Sequence, residues 1–148
     1  MYIYEFEFFE DNGMMAAFPF GLDNHATQGI DLADAIAMAA DLVKGLAEDS
    51  LLNGHELPEA TFGHEPEHGG KVFTIAVSAS LDDVETMTAS HAAEVLGVSR
   101  GRVSNMLRDG VLEGFRKGRD SFVTRASVEQ RLKSRIRPGR PSKETAAA

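Results

Sequence analysis

Arg100, Arg102, Ser104, Asn105 and Arg108 crowd one short stretch of the chain, around an apolar stripe of Val103, Met106 and Leu107. If that stripe is buried, the polar residues are left on the open faces of one helix. Arg and Asn are the side chains that pair with guanine and adenine edges in the major groove. The chemistry on offer is base and phosphate recognition. A recognition helix presents its N-terminal residues first, which favours Arg100, Arg102 and Ser104. Ser99 before them is a natural N-cap and joins the candidate contact set, as do Asn105 and Arg108. The plainer alternative is a solvated, charged helix face.

The surrounding residues supply the frame for such a helix. Thr88 to Leu107 has helix-turn-helix grammar. Ala93 is the small residue where two helices cross, and Gly97 stands where the turn needs positive φ. Ala92, Leu96, Val98, Val103 and Met106 then fall at buried positions. Downstream, Gly110 to Val123 reads as two apolar arms around a tip of Lys117-Gly118-Arg119, a β-hairpin wing. Arg116, Lys117 and Arg119 would aim cations at phosphates or the minor groove. Thr124 can cap a third helix running through Val128 and Leu132. Residues 87–135 resemble the excisionase and MerR-type winged helix-turn-helix. Beyond them, Gly139-Arg140-Pro141 resembles the core of an AT-hook, which would place Arg140 in an A·T-rich minor groove. A plain solvated tail is the other reading.

Charge divides along the same line. Residues 1–85 carry 17 Asp and Glu against Lys44 and Lys71, a formal −15, and residues 86–148 carry 13 Lys and Arg against six acids, a formal +7. A basic segment is the electrostatic footprint of a nucleic-acid reader, because neutralising phosphates releases counterions. The acidic segment is repelled by the same polyanion, so its task lies elsewhere. At 148 residues there is room for two small domains. There is no cysteine, hence no disulfide framework and no Cys-based zinc site. No signal peptide and no apolar stretch of bilayer length are evident, so the expected location is the cytoplasm.

In the acidic half, Tyr2, Tyr4, Phe6 and Phe8 alternate with Ile3, Glu5, Glu7 and Phe9, which predicts a strand with one aromatic, buried face and one largely polar face. Asn12-Gly13 is a hairpin signal, and Met14 to Phe18 returns as a second strand. His25 to Gln28 suggests a short third strand. Asp31 looks like an N-cap for a helix through Leu32, Ala35, Ile36, Ala39, Val43 and Leu46. Residues 52–70 read as loop, and Lys71 to Ala79 as a last strand. One helix on one small sheet is a two-layer α+β unit.

Two constellations here could suggest catalysis. Glu5 and Glu7 share a strand face and could begin a nuclease-type metal site. His64-Glu65-Pro66-Glu67-His68 could suggest metal ligands, but Pro66 and the flanking glycines argue against a helical i, i+4 histidine pair and for a solvated loop. The expectation is no catalytic residue, no cofactor and no metal.

Residues 2–80 resemble the HicB antitoxins. The resemblance rests on the opening hairpin, on Ala26-Thr27-Gln28-Gly29 leading into Asp31-Leu32-Ala33-Asp34-Ala35, on the helix that follows, and on Gly54-His55-Glu56-Leu57-Pro58 before the final strand. The family's Pro-Gly-Cys-like stretch has Phe18-Pro19-Phe20-Gly21-Leu22 near its place, without the Cys. The resemblance implies a truncated RNase H-like N-terminal fold, and a small basic HicA-type mRNA-cleaving toxin as its partner. The expected fold class is thus α+β: an acidic antiparallel-sheet and helix domain at 1–80, a linker at 81–86, a winged helix-turn-helix at 87–135 and a basic flexible tail at 136–148. The expected function is an antitoxin and autorepressor, without enzymatic activity. It would bind double-stranded operator DNA through the C-domain and the toxin through the N-domain, as a homodimer or higher homo-oligomer, with no membrane partner. The alternative is a stand-alone transcription regulator whose N-domain oligomerises or senses a ligand.

Overall fold

A computed structural model describes residues 1–136, which fall into two units: Met1–Asp83 and a second that begins at Val84. In the first, the alternating aromatic run is β1, Tyr2–Asp11. Asn12 and Gly13 both have positive φ, 50° and 80°, as a type I′ turn requires. They fold the chain back into β2, Met14–Pro19, with Asp11 opposite Met14. β3 spans Thr27–Gly29 and pairs with β2. It starts later than the sequence suggests, because His25 is held in a turn by its N–H donating to the Leu22 carbonyl at 3.3 Å.

Asp31 caps α1, Leu32–Asn53. Its carboxylate accepts the Asp34 N–H at 2.8 Å, and the Asp34 carboxylate accepts the Ile30 N–H at 2.9 Å. One orphan donor of the first turn and one N–H just ahead of the cap are thereby satisfied. The helix persists past the expected loop boundary at residue 52. β4, Lys71–Val77, pairs antiparallel with β1 from Tyr2↔Val77 to Phe8↔Lys71 and stops short of Ala79. The sheet order is β3-β2-β1-β4. Tyr4, Phe6 and Phe8 with Ile75 meet Ala35, Ala39 and Val43 of α1 in one core.

The opposite face of β1 carries polar side chains as expected, but it is covered. Glu7 is only 1% exposed. Residues 57–70 have no regular structure, yet they form a strap held on this face by Glu5 and Glu7. Gly63 and His64 donate their N–H groups to Glu5 at 3.1 and 3.0 Å. Glu67, His68 and Gly70 donate theirs to Glu7 at 2.9, 2.7 and 3.1 Å. The solvated loop expected around His64 and His68 is therefore a packed one. Beneath the strap the two carboxylates are cut off from water, so its backbone donors must serve them. At Gly70 an added Cβ would stand 2.2 Å from the Phe8 carbonyl oxygen, so only glycine lets the strap seat this closely before it enters β4.

The second unit comprises β5 (Thr86–Thr88), α2 (Ala89–Leu96), α3 (Arg100–Arg108), β6 (Gly114–Lys117), β7 (Asp120–Thr124) and α4 (Arg125–Ile136). The three strands form an antiparallel sheet ordered β5-β7-β6. The stretch expected as a linker, 81–86, contains the division between the two units, a 3-10 turn at Leu81–Asp83 and the first residue of β5. Ala92, Ala93, Leu96, Val103, Met106, Leu112, Val123 and Val128 share the core, with Val98, Leu107 and Leu132 partly buried against it.

Candidate nucleic-acid interface

The turn between α2 and α3 is closed by backbone alone. Gly97 takes φ 64°, its N–H donates to Glu94, and the Val98 N–H donates to the Ala93 carbonyl at 3.0 Å. This is the left-handed cap that lets one helix stop and the next leave at an angle. Ser99 then starts α3, its hydroxyl oxygen accepting the Arg102 N–H at 3.1 Å. At one end of this unit, Thr88 caps α2 in the same way, accepting the His91 N–H at 3.2 Å.

Val103 and Met106 are buried and fix the rotation of α3. Helical periodicity then sets Gly101, Asn105 and Arg108 opposite that stripe, with Arg102 on one flank and Arg100 and Ser104 on the other. All of these polar residues are exposed. Arg100, Arg102 and Asn105 have no side-chain partner among the described residues. Ser104 donates its hydroxyl to the Arg100 carbonyl at 3.3 Å. Arg108, at the helix end, sits 3.5 Å from the Asp109 carboxylate. Gly101, which sequence reasoning passed over, leaves the centre of the exposed face open to close approach.

The wing is β6 and β7. Gly118 and Arg119 form a two-residue turn between Lys117 and Asp120, tighter than the three-residue tip the sequence suggests. Gly118 takes the positive φ, 64°, that the first position of such a turn demands. Phe115 stacks on Phe122 at 5.7 Å and stiffens the hairpin. Arg116, Lys117 and Arg119 are all exposed around the tip, with Lys117 facing Asp120 across the strands. β5, the third strand under the wing, was missed because three residues give no readable alternation.

Two other cations of this unit, Arg125 and Arg135, serve the fold. Arg125 reaches Glu129 at 3.2 Å and Glu85 at 3.9 Å. Arg135 donates to the Leu96 carbonyl and so ties α4 to the C-terminal end of α2. Arg140 lies outside the described residues. Thr124 begins α4 as expected, its hydroxyl accepting the Ser127 N–H at 3.3 Å.

Residues 86–136 match a family model described as a helix-turn-helix domain. The C-terminal unit is a DNA-binding helix-turn-helix. No curated protein and no solved structure matches the chain. Because Glu85 falls in this unit, its 13 bases and seven acids give +6, while the 16 acids and two bases of Met1–Asp83 give −14.

The carboxylates of the first unit are differently placed. His64 Nδ1 lies 2.7 Å from Glu5, and His68 Nδ1 lies 2.9 Å from Glu7. Each imidazole also stacks on a phenyl ring, His64 on Phe20 at 4.2 Å and His68 on Phe9 at 4.4 Å. Burial pushes the Glu7 carboxyl up, but the hydrogen bonds from His68 and from three backbone N–H groups outweigh it and hold it at about 2. The N–H groups of His64 and Gly63, then the His64 ring, lower Glu5 as well. Among the described residues, no group of three His, Asp or Glu side chains is placed to hold a metal ion. Beside the His68 clasp lies an open groove of about 500 Å³ lined by Phe8, Phe9, Met15, Leu32 and Phe73 together with the polar Glu10, His68 and Lys71. No helix among the described residues is long and apolar enough to cross a membrane.

Proposed function

We propose that this protein is an operator-binding repressor and antitoxin of the HicB-like kind. The helix-turn-helix reads its own operator, with Arg100, Arg102 and Asn105 toward the base edges and Arg116, Lys117 and Arg119 toward phosphates. The acidic unit engages a small basic HicA-type toxin and covers its RNA-binding surface. The observation that carries this reading is the separation of −14 from +6 onto two units that each have their own core. A toxin that grips RNA must be basic, and an acidic surface competes with RNA for it. The strand order β-β-β-α-β supports the HicB likeness. The proposal includes no catalysis: Glu5 and Glu7, the carboxylates that could open a metal site, are each engaged by strap N–H groups. Such a protein works where the genome is, in the cytoplasm, and pairs of it would read palindromic half-sites.

Co-expression with the product of the adjoining reading frame tests the reading. Relief of growth arrest and recovery of a complex through residues 1–83 are expected. Persistent arrest with no complex would favour a second reading, a stand-alone regulator whose first unit senses a ligand, for which the mixed aromatic and charged groove at Phe8, Phe73 and Lys71 is the motivating feature.

A further inference from the structure

Sheet edges expose unpaired N–H and C=O groups, and proteins that stay single blunt them. Three of the four edges here are blunted. β3 and β5 are three residues long, and β6 carries Arg116 and Lys117. β4 is not blunted. It is seven residues long, Lys71–Val77, with no proline and no charge after Lys71. Apart from its ladder with β1, none of its backbone groups has a hydrogen-bond partner among the described residues. Phe73 is 38% exposed, and Thr74 and Ala76 are exposed too.

We infer that β4 is a self-pairing edge, which joins two copies of this chain into one continuous eight-stranded sheet through antiparallel β4–β4 contact. The strand is centred on Thr74. A two-fold axis there sets Thr74 against Thr74 of the second copy, Phe73 against Ile75, Val72 against Ala76 and Lys71 against Val77. Aromatic with β-branched and Thr with Thr are favourable cross-strand pairs, and no like charges meet. The charge around it selects the same occupant. In a unit of −14, residues 72–81 contain no ionisable group, so the pairing strands themselves bring no like charges together, and the nearest carboxylates, Glu5 and Glu7, lie one strand in and are engaged by the strap. The pairing would also cover Phe73. The contact is isologous, hence closed at two copies.

The chain has no cysteine, so a single introduced thiol reports the register. Cα atoms directly opposite in an antiparallel pair are about 4.5–5.5 Å apart, within disulfide reach. Full-length Thr74→Cys, treated with oxidised glutathione, should form a covalent dimer at least about tenfold faster than Asp41→Cys on α1 or Ala76→Cys, as local concentration dictates. The Val72→Cys/Ala76→Cys double variant should cross-link when neither single variant does, which keeps the test valid if Thr74→Cys folds poorly. Cross-linking of Thr74→Cys no faster than the Asp41 control, together with no dimer from the double variant, overturns the inference. So does cross-linking of Ala76→Cys at the Thr74→Cys rate, because that register is different.

Discussion

Glu7 and Arg102 are charged side chains on regular elements, one in each unit, and they are used in opposite ways. Glu7 is buried and accepts four hydrogen bonds within 3.1 Å, from three backbone N–H groups and one imidazole. Arg102 is exposed and its side chain has no partner among the described residues. The first charge is a structural fastener. The second is held out for another molecule. Net charge alone would count them alike, and only the fate of each hydrogen-bonding group separates a charge that builds the fold from one that recognises a ligand.

Substitution at the two positions should separate stability from recognition. Glu7→Ala removes the shared acceptor of three part-buried strap N–H groups, and it should lower the stability of the first unit by about 1–3 kcal/mol in urea titration. Arg102→Ala should leave that stability within about 0.5 kcal/mol, as surface changes do. Its effect belongs in DNA competition assays, where a lost bidentate base contact costs about 1–3 kcal/mol of discrimination between operator and random sequence. Equal loss on both sequences would move Arg102 to the phosphate contacts. Ser99→Ala removes the α3 cap and should cost about 1 kcal/mol in stability of the helix-turn-helix. Arg116→Ala on the wing should weaken all duplexes alike and reduce the slope of log K against log salt by about 1.

Acid gives the gentlest test. Glu5 and Glu7 have lower pKa values folded than unfolded, where a glutamate sits near its ordinary 4.5. Their contribution is present above that value and is lost as pH falls toward the folded value of Glu7, about 2. Strap amide signals followed by NMR should broaden in that window before those of α1. Glu7→Gln should flatten the dependence.

What was legible in the sequence is what is local. Asn12-Gly13, the Asp31 cap, Gly97 and the Ser99 cap each act within four residues, and each forms the turn or helix end it signals. The recognition helix was legible because Val103 and Met106 repeat at helical spacing. The strap was not. His64 and Glu5 are 59 residues apart in sequence, and nothing in GHEPEHGG says that its N–H groups will find carboxylates on a strand. The largely polar face assigned to β1 holds Glu5 and Glu7 as read, but its cover was not legible, since polar residues facing a strap alternate just as those facing water do.

The strap leads directly into β4, with Gly70 seated against Phe8 next to the Phe8–Lys71 pair. β1, the most aromatic strand of the chain, is made first and waits with one side unpaired while the hairpin, α1 and the strap are synthesised. Its final neighbour is about seventy residues downstream, a pairing of high contact order and slow closure. Until β4 arrives, a nascent first unit presents YIYEFEFF as an open edge, and crowded ribosomes translating one message would hold several such edges close together.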